Sequence, residues 1–201
     1  RGTLIRSPSG PAAIVDLARV NPPYPNGFSS RSKRTRLLRF FVTIGPSFNF
    51  SYPMFYFAYG SNMDLSRIED LGLHFQSIRA GVLPGWKLVF NVIDNAEDKS
   101  GYANISPDPK AKVEGLIIET NREAIRKLDW NEDAPAYYQK KKVTAVGPEG
   151  KNFECMTYVG NPKRIAKGLK PRKIYLAHLL DGRLFLDPDY LAKLERIKTL
   201  D

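Results

Sequence analysis

The chain has 201 residues, 42% hydrophobic and 26% charged, with a formal net charge of +10. That balance describes one globular domain with a sizeable core, and no apolar run approaches the roughly 18 residues needed to span a bilayer. A single cysteine, Cys155, excludes an internal disulfide framework and agrees with a reducing, cytoplasmic setting, while two histidines leave little material for a metal site.

The positive charge is unevenly placed. Residues 1–53 hold eight basic residues (Arg1, Arg6, Arg19, Arg31, Lys33, Arg34, Arg36, Arg39) against the single acid Asp16, a local balance of +7 that leaves +3 for residues 54–201. The stretches "SPSGPAA", "NPPYPNG" and "SSRSKRTR" are rich in Pro, Ser, Gly and Arg and lack periodicity. Residues 1–53 therefore read as an unstructured N-terminal extension, translated from sequence upstream of a start at the first methionine, Met54, and so outside the native protein. A targeting segment is the rival reading, since Arg- and Ser-rich, acid-poor leaders share this composition.

From Met54 onward the pattern is mixed. Strands are predicted at 54–59, 78–83, 86–93, 101–106, 112–119, 137–146 and 152–159, separated by Gly, Pro or charged clusters. The first of them, "MFYFAYGSNMD", stops at Gly60-Ser61-Asn62. Such an ending is an ordinary turn, or else a nest of backbone donors in which Gly60 allows close approach to a ligand. "TNREAIRKLDW" predicts a helix opened by a capping box from Thr120 to Glu123. Two more helices follow, in "PRKIYLAHLLDG" and after the Asp187-Pro188 start signal. The expected fold class is α+β, a mostly antiparallel curved sheet or small β-barrel with a few helices.

Several chemistries lack their motifs. No GxSxG, phosphate-cradling GxxxxGKS/T, HExxH or CxxC occurs. His74 and His178 are isolated, with structural roles expected for both, and Cys155 in "FECMTYV" reads as a small core residue. Lys140-Lys141-Lys142 and the basic leader admit a nucleic-acid reading, but the triplet sits in an apparent strand with few stacking aromatics arranged beside it. Carboxylates remain. The densest cluster is "LDWNEDAPAYY", where Asp129, Glu132 and Asp133 follow a helix end, a place where acids oppose the helix dipole.

Together these segments resemble the gamma-glutamylcyclotransferase-like family, which includes proteins called AIG2-like. Tyr59-Gly60-Ser61-Asn62-Met63 looks like its YGSN-type loop. Gly101-Tyr102-Ala103-Asn104-Ile105 is similar to its GxAxI strand, and Val113-Glu114-Gly115-Leu116-Ile117 to its V-x-G-x-hydrophobic strand. Leu128-Asp129-Trp130-Asn131-Glu132 matches its LDxxE, and Thr157-Tyr158, Pro171 and Tyr175 fit later positions. The match spans residues 54–201 and none of 1–53. Asp133 departs from the pattern, which usually has Gly after the glutamate, and either Tyr137 or Tyr138 takes the family's aromatic position.

The resemblance implies intramolecular aminolysis of a γ-glutamyl amide to 5-oxoproline and a free amine. Glu132 would be the general acid/base, its pKa raised by Trp130, Tyr137 and Tyr138. Substrate-binding residues would be Tyr59, Gly60, Ser61, Asn62, Met63, Tyr138 and Tyr175. It implies no metal or organic cofactor and a small-molecule γ-glutamyl partner, with no nucleic acid or membrane partner. A non-catalytic binding module of the same fold is the alternative. Free γ-glutamyl amino acids, glutathione, γ-glutamyl amines such as isopeptide breakdown products, and a γ-glutamyl protecting group on a natural product all share the reacting unit, and nothing in the chain marks an oligomeric state.

Overall fold

The structure is a computed structural model that describes the strand Ile14–Val15 and residues 53–201. The expectation of an unstructured extension over residues 1–53 therefore falls almost wholly outside the described residues. Strand β1 (Ile14–Val15) pairs antiparallel with Arg79 and Ile78.

Strands β2 (Met54–Ala58), β3 (Phe75–Ile93), β4 (Gly101–Thr120), β5 (Tyr138–Val146) and β6 (Asn152–Gly160) follow, with helices α1 (Leu65–Asp70), α2 (Arg122–Asn131), α3 (Lys173–Leu180) and α4 (Pro188–Glu195). The sheet order is β1-β3-β4-β2-β6-β5, and β5 returns to β3 through Val82 and Val146. That contact closes five strands into a small barrel. All neighbours are antiparallel except β2 and β6. Strand β2 is central, flanked by β4 and β6, and its Tyr56, Phe57 and Ala58 are all buried. This explains a short continuous apolar run without polar alternation.

Closure builds one core. Phe57, Ile78, Leu83, Val113, Leu116, Ile117 and Ala145 are almost completely enclosed, each large side chain contributing about 1.5–3 kcal/mol from burial. Gly115 lies where β2 and β4 approach most closely: a Cβ there would stand 2.1 Å from the Ala58 carbonyl oxygen. Cys155 is a free, buried thiol in β6, pushed up to about 12 by burial, as a core residue would be.

Two pairs of predicted strands are fused. The segments 78–83 and 86–93 form the single strand β3, and 101–106 and 112–119 form β4. Pro84-Gly85 does not end β3. It sits at a register shift between Pro84 and Trp86, with Gly85 at φ 79°, and a bulge tolerates both the missing proline N–H and the positive φ. Helix α1, which carries one buried residue, Ile68, was not anticipated from periodicity. Its signal is local: the Asp64 carboxylate accepts from the Ser66 N–H at 3.0 Å.

The start of α2 also differs by one residue. Asn121, not Thr120, is the cap, accepting from the Ala124 N–H at 2.9 Å, while the Thr120 hydroxyl donates to the His74 carbonyl. Helix α4 begins as expected, with Asp187 as cap and Pro188 at the first position. On β5, Lys140 pairs with Asp129 and Lys141 lies over the Trp86 ring, so two of the three lysines already have partners within the domain. Among the described residues no helix is long and apolar enough to cross a membrane.

Candidate active site

The chain leaving β2 turns at once. The N–H of Met63 returns to the Gly60 carbonyl at 3.0 Å, and that of Asp64 to Ser61 at 3.2 Å, making a 3-10 turn over Ser61–Met63. These two amides point back into the turn and lie beyond Gly60–Asn62, the stretch where a nest of donors is expected. Tyr59 is buried, and its hydroxyl donates to the Tyr158 carbonyl at 2.5 Å. At Gly60 a Cβ would lie 3.4 Å from Ala103 Cβ and from the Tyr175 hydroxyl, ordinary contact; Gly60 keeps space open rather than relieving a clash. Ser61 and Tyr175 line the same space, and the Tyr175 hydroxyl accepts from the Ala103 N–H at 3.1 Å. Met63 is corrected from its expected place: it is enclosed in the core and lines neither cavity described below, supporting the loop from beneath.

Glu132 reaches this loop from 70 residues away. It ends α2, with its N–H donating to Leu128 at 2.9 Å. The chain then reverses through Asp133 at φ 45° and a cis Ala134–Pro135 bond. The Glu132 side chain lies against Asn62, whose amide donates to Glu132 Oε1 at 2.8 Å and to the Tyr56 hydroxyl at 2.9 Å. Asn131 adds a longer bond of 3.3 Å. Burial lifts the Glu132 carboxyl above the ordinary carboxylate range, opposed by the two asparagine hydrogen bonds and the positive charge of Arg67.

The surroundings of Glu132 are not all those expected. Trp130 is 89% exposed and cannot desolvate it. An α-helix separates adjacent side chains by about 100°, so Trp130 points away from the neighbours that pack inward. Asp129 is tied outside the cavities, accepting from the Tyr158 hydroxyl at 2.7 Å and from Lys140 at 2.9 Å. Tyr137 and Tyr138 both line the larger cavity. Tyr138 is buried and donates to the Ala103 carbonyl at 2.8 Å, whereas half-buried Tyr137 carries the Arg164 guanidinium over its ring at 4.3 Å.

Glu132, Ser61, Tyr138 and Tyr175 are shared by two adjoining spaces. The inner one is a recess of about 20 Å³ walled by Tyr56, Tyr59, Tyr138, Tyr158 and Tyr175, with Asn62 and Ala103. It has room for about one water-sized atom, such as a single carbonyl oxygen. All five phenols are pushed above the usual tyrosine range, chiefly by burial and secondarily by charges including that of Glu132. They remain neutral. The outer space is a cavity of about 600 Å³ lined by Arg67, Asp94, Tyr102, Asp133, Arg172 and His178 among others, a size suited to a small organic molecule.

Sequence reasoning missed Tyr56, Tyr158, Tyr102, Asp94, Arg67 and Arg172. The available signal was the chain's ten tyrosines, several of them at strand positions that converge only once the barrel closes. His178, expected to be structural, has Nδ1 2.8 Å from Asp64 and also lines the outer cavity. Asp64, His178 and Asp181 are the one grouping among the described residues close enough for a metal ion. Asp64, however, is engaged with Ser66 and His178.

A small mixed barrel thus presents a carboxylate lifted by burial beside a ring of neutral phenols. The model of the family "Gamma-glutamyl cyclotransferase, AIG2-like" matches residues 56–176, more than half of the chain, and the chain belongs to that family. No curated protein sequence matches it. Among solved structures, one described as a gamma-glutamyl cyclotransferase is 25% identical with a TM-score of 0.65, covering 74% of this chain and 90% of its own. YkqA from Bacillus subtilis is likewise 25% identical with a TM-score of 0.65; the match covers 72% of this chain and about half, 54%, of YkqA. An uncharacterized protein from Homo sapiens, 24% identical with a TM-score of 0.63 over 74% of this chain and 90% of its own, shares the fold. Family and fold are those of gamma-glutamyl cyclotransferases.

Proposed function

We propose that the protein converts a γ-glutamyl amide to 5-oxoproline and a free amine, with Glu132 as the proton-transfer group. The observation that carries this reading is the Glu132 carboxylate, lifted by burial, held by the Asn62 amide at 2.8 Å and open to both cavities. The α-amine of the glutamyl unit attacks its own γ-carbonyl carbon, forming the ring C–N bond, and the C–N bond to the leaving amine breaks. Glu132 takes a proton from the attacking nitrogen and delivers one to the departing nitrogen, so it ends as it began.

Nucleophile and electrophile belong to one molecule. Folding the substrate into a five-membered ring therefore supplies the proximity, and the enzyme has only to hold that fold. The inner recess suits the γ-carbonyl oxygen. The donors left for it are the Ser61 hydroxyl and the hydroxyls of Tyr56 and Tyr175, which accept from Asn62 and Ala103, since Tyr59, Tyr138 and Tyr158 already donate to the Tyr158 carbonyl, the Ala103 carbonyl and Asp129; fixed donors in a dry site stabilise the charge that develops on oxygen. The leaving group would extend into the outer cavity. Among the described residues, every one that lines this site lies in 54–201, and we assign the activity to that segment.

The test is 5-oxoproline release from a panel of γ-glutamyl compounds by the chain and by Glu132→Gln. The variant keeps the shape of the side chain and removes the base, and turnover should fall by about 10²–10⁴-fold. Turnover retained in Glu132→Gln would move the role elsewhere. No release from any compound by the unaltered chain would favour a binding module of the same fold.

A further inference from the structure

Six side chains that carry or acquire full charge line the outer cavity: Arg67, Asp94, Glu132, Asp133, Arg172 and His178. Most are accounted for. Asp94 accepts from the Ala96 N–H at 2.9 Å and engages the Tyr102 hydroxyl. Glu132 is held by Asn62 and Asn131, and His178 by Asp64. Asp133 and Arg172 are exposed and solvated.

Arg67 differs from all of these. It is half-buried on α1, its Nε is enclosed without a hydrogen-bond partner, and its guanidinium enters no ion pair among the described residues. An enclosed donor left unsatisfied on a cation is costly. A guanidinium so placed is preorganised for a planar anion, and a carboxylate matches its fork of donors.

We infer that Arg67 recognises a carboxylate on the leaving group, and that the substrates are γ-glutamyl amino acids or peptides rather than γ-glutamyl derivatives of simple amines. The inference rests on the cyclisation proposed above. Its direction follows from the two spaces. Arg67 lines the outer cavity and is absent from the inner recess, where Ser61, Asn62, Glu132 and Tyr175 meet the reacting end. Its charge nevertheless reaches Glu132. An anion on Arg67 therefore lies just beyond the nitrogen that departs, where the carboxylate of an amino-acid leaving group would be.

Two substrates isolate the effect. γ-Glutamyl-alanine and γ-glutamyl-ethylamide release amines that differ only by the carboxylate. The unaltered chain should prefer the former in kcat/KM by about 10- to 100-fold, the range for a hydrogen bond to a charged group. In Arg67→Met that ratio should collapse to within about threefold, mainly through KM for γ-glutamyl-alanine, and Arg67→Lys should recover part of it. A ratio that survives in Arg67→Met, or that collapses in Arg172→Met instead, overturns the assignment. So does an equal loss on both substrates, which would place Arg67 on the glutamyl unit or on Glu132 alone.

Calorimetric titration with the same two compounds separates this inference from the reaction. If the chain turns over neither compound, the cyclisation reading fails for both. Carboxylate-dependent affinity that Arg67→Met removes would still support the anion site, and equal affinity for the two would overturn it.

Discussion

The amide of Asn62 bridges the Tyr56 hydroxyl, at 2.9 Å, and the Glu132 carboxylate, at 2.8 Å. One side chain thereby joins the end of β2, the turn that follows it and the end of α2.

This bridge gives Asn62 two effects on activity. Asn62→Ala releases the Glu132 side chain from its position, and a displacement of about 1 Å in a reacting group costs on the order of 10²-fold in rate. It also removes a hydrogen bond that lowers the Glu132 pKa. The acid limb of the pH–rate profile should therefore shift upward from its position in the unaltered chain. A rate loss without that shift would leave Asn62 a role in substrate binding only.

Glu132 itself should reduce stability at neutral pH. Its folded-state pKa is raised, with burial the leading cause. A raised carboxyl contributes stability that is fully present below the unfolded-state pKa and lost as pH rises through the folded-state value. Glu132→Gln removes that loss, so the variant should be more resistant to denaturant than the unaltered chain at pH 7. The gap should close as pH falls below the ordinary glutamate range. Denaturant midpoints measured across pH 3–8 read this directly; a gap independent of pH would mean that the carboxyl is not desolvated.

Asp133 occupies a left-handed backbone position, φ 45°, where the family pattern usually has Gly. Aspartate tolerates this region better than most residues, but a Cβ there still carries strain. Asp133→Gly should stabilise the fold by about 0.5–1 kcal/mol, and Asp133→Val should destabilise it by about 1–2 kcal/mol. Chemical denaturation checks both, and a destabilising glycine would show that the aspartate side chain holds the turn.

Gly115 tests the packing of the barrel. A methyl group added there would stand 2.1 Å from the Ala58 carbonyl oxygen, backbone that cannot rotate away. Gly115→Ala should cost about 3 kcal/mol, the upper range for an overpacked core, read from the thermal midpoint and denaturant titration. A cost under about 1 kcal/mol would mean that β2 and β4 separate easily at this point.

Much of this protein is legible in its sequence, because the legible parts are local. Alternation and apolar runs mark the strands, Asp187-Pro188 marks the start of α4, and the Tyr59–Met63 loop with Leu128–Glu132 marks the family. Such signals depend on neighbours a few residues apart. What tertiary structure decided depends on pairings far apart in the chain. Pro84-Gly85 looks like a strand end and becomes a bulge, because β4 runs alongside it. Trp130 and Glu132, two residues apart at the end of α2, face solvent and cavity respectively, because Asn62, 70 residues earlier in the chain, lies on the Glu132 side. The five phenols around the recess come from β2, the loop after it, β5, β6 and α3. They meet through the β2–β6 and β5–β6 pairings and the packing of α3, contacts between residues far apart in the chain. Local pattern names the residues that can do chemistry, and long-range closure, with the desolvation it brings, selects those that stand together.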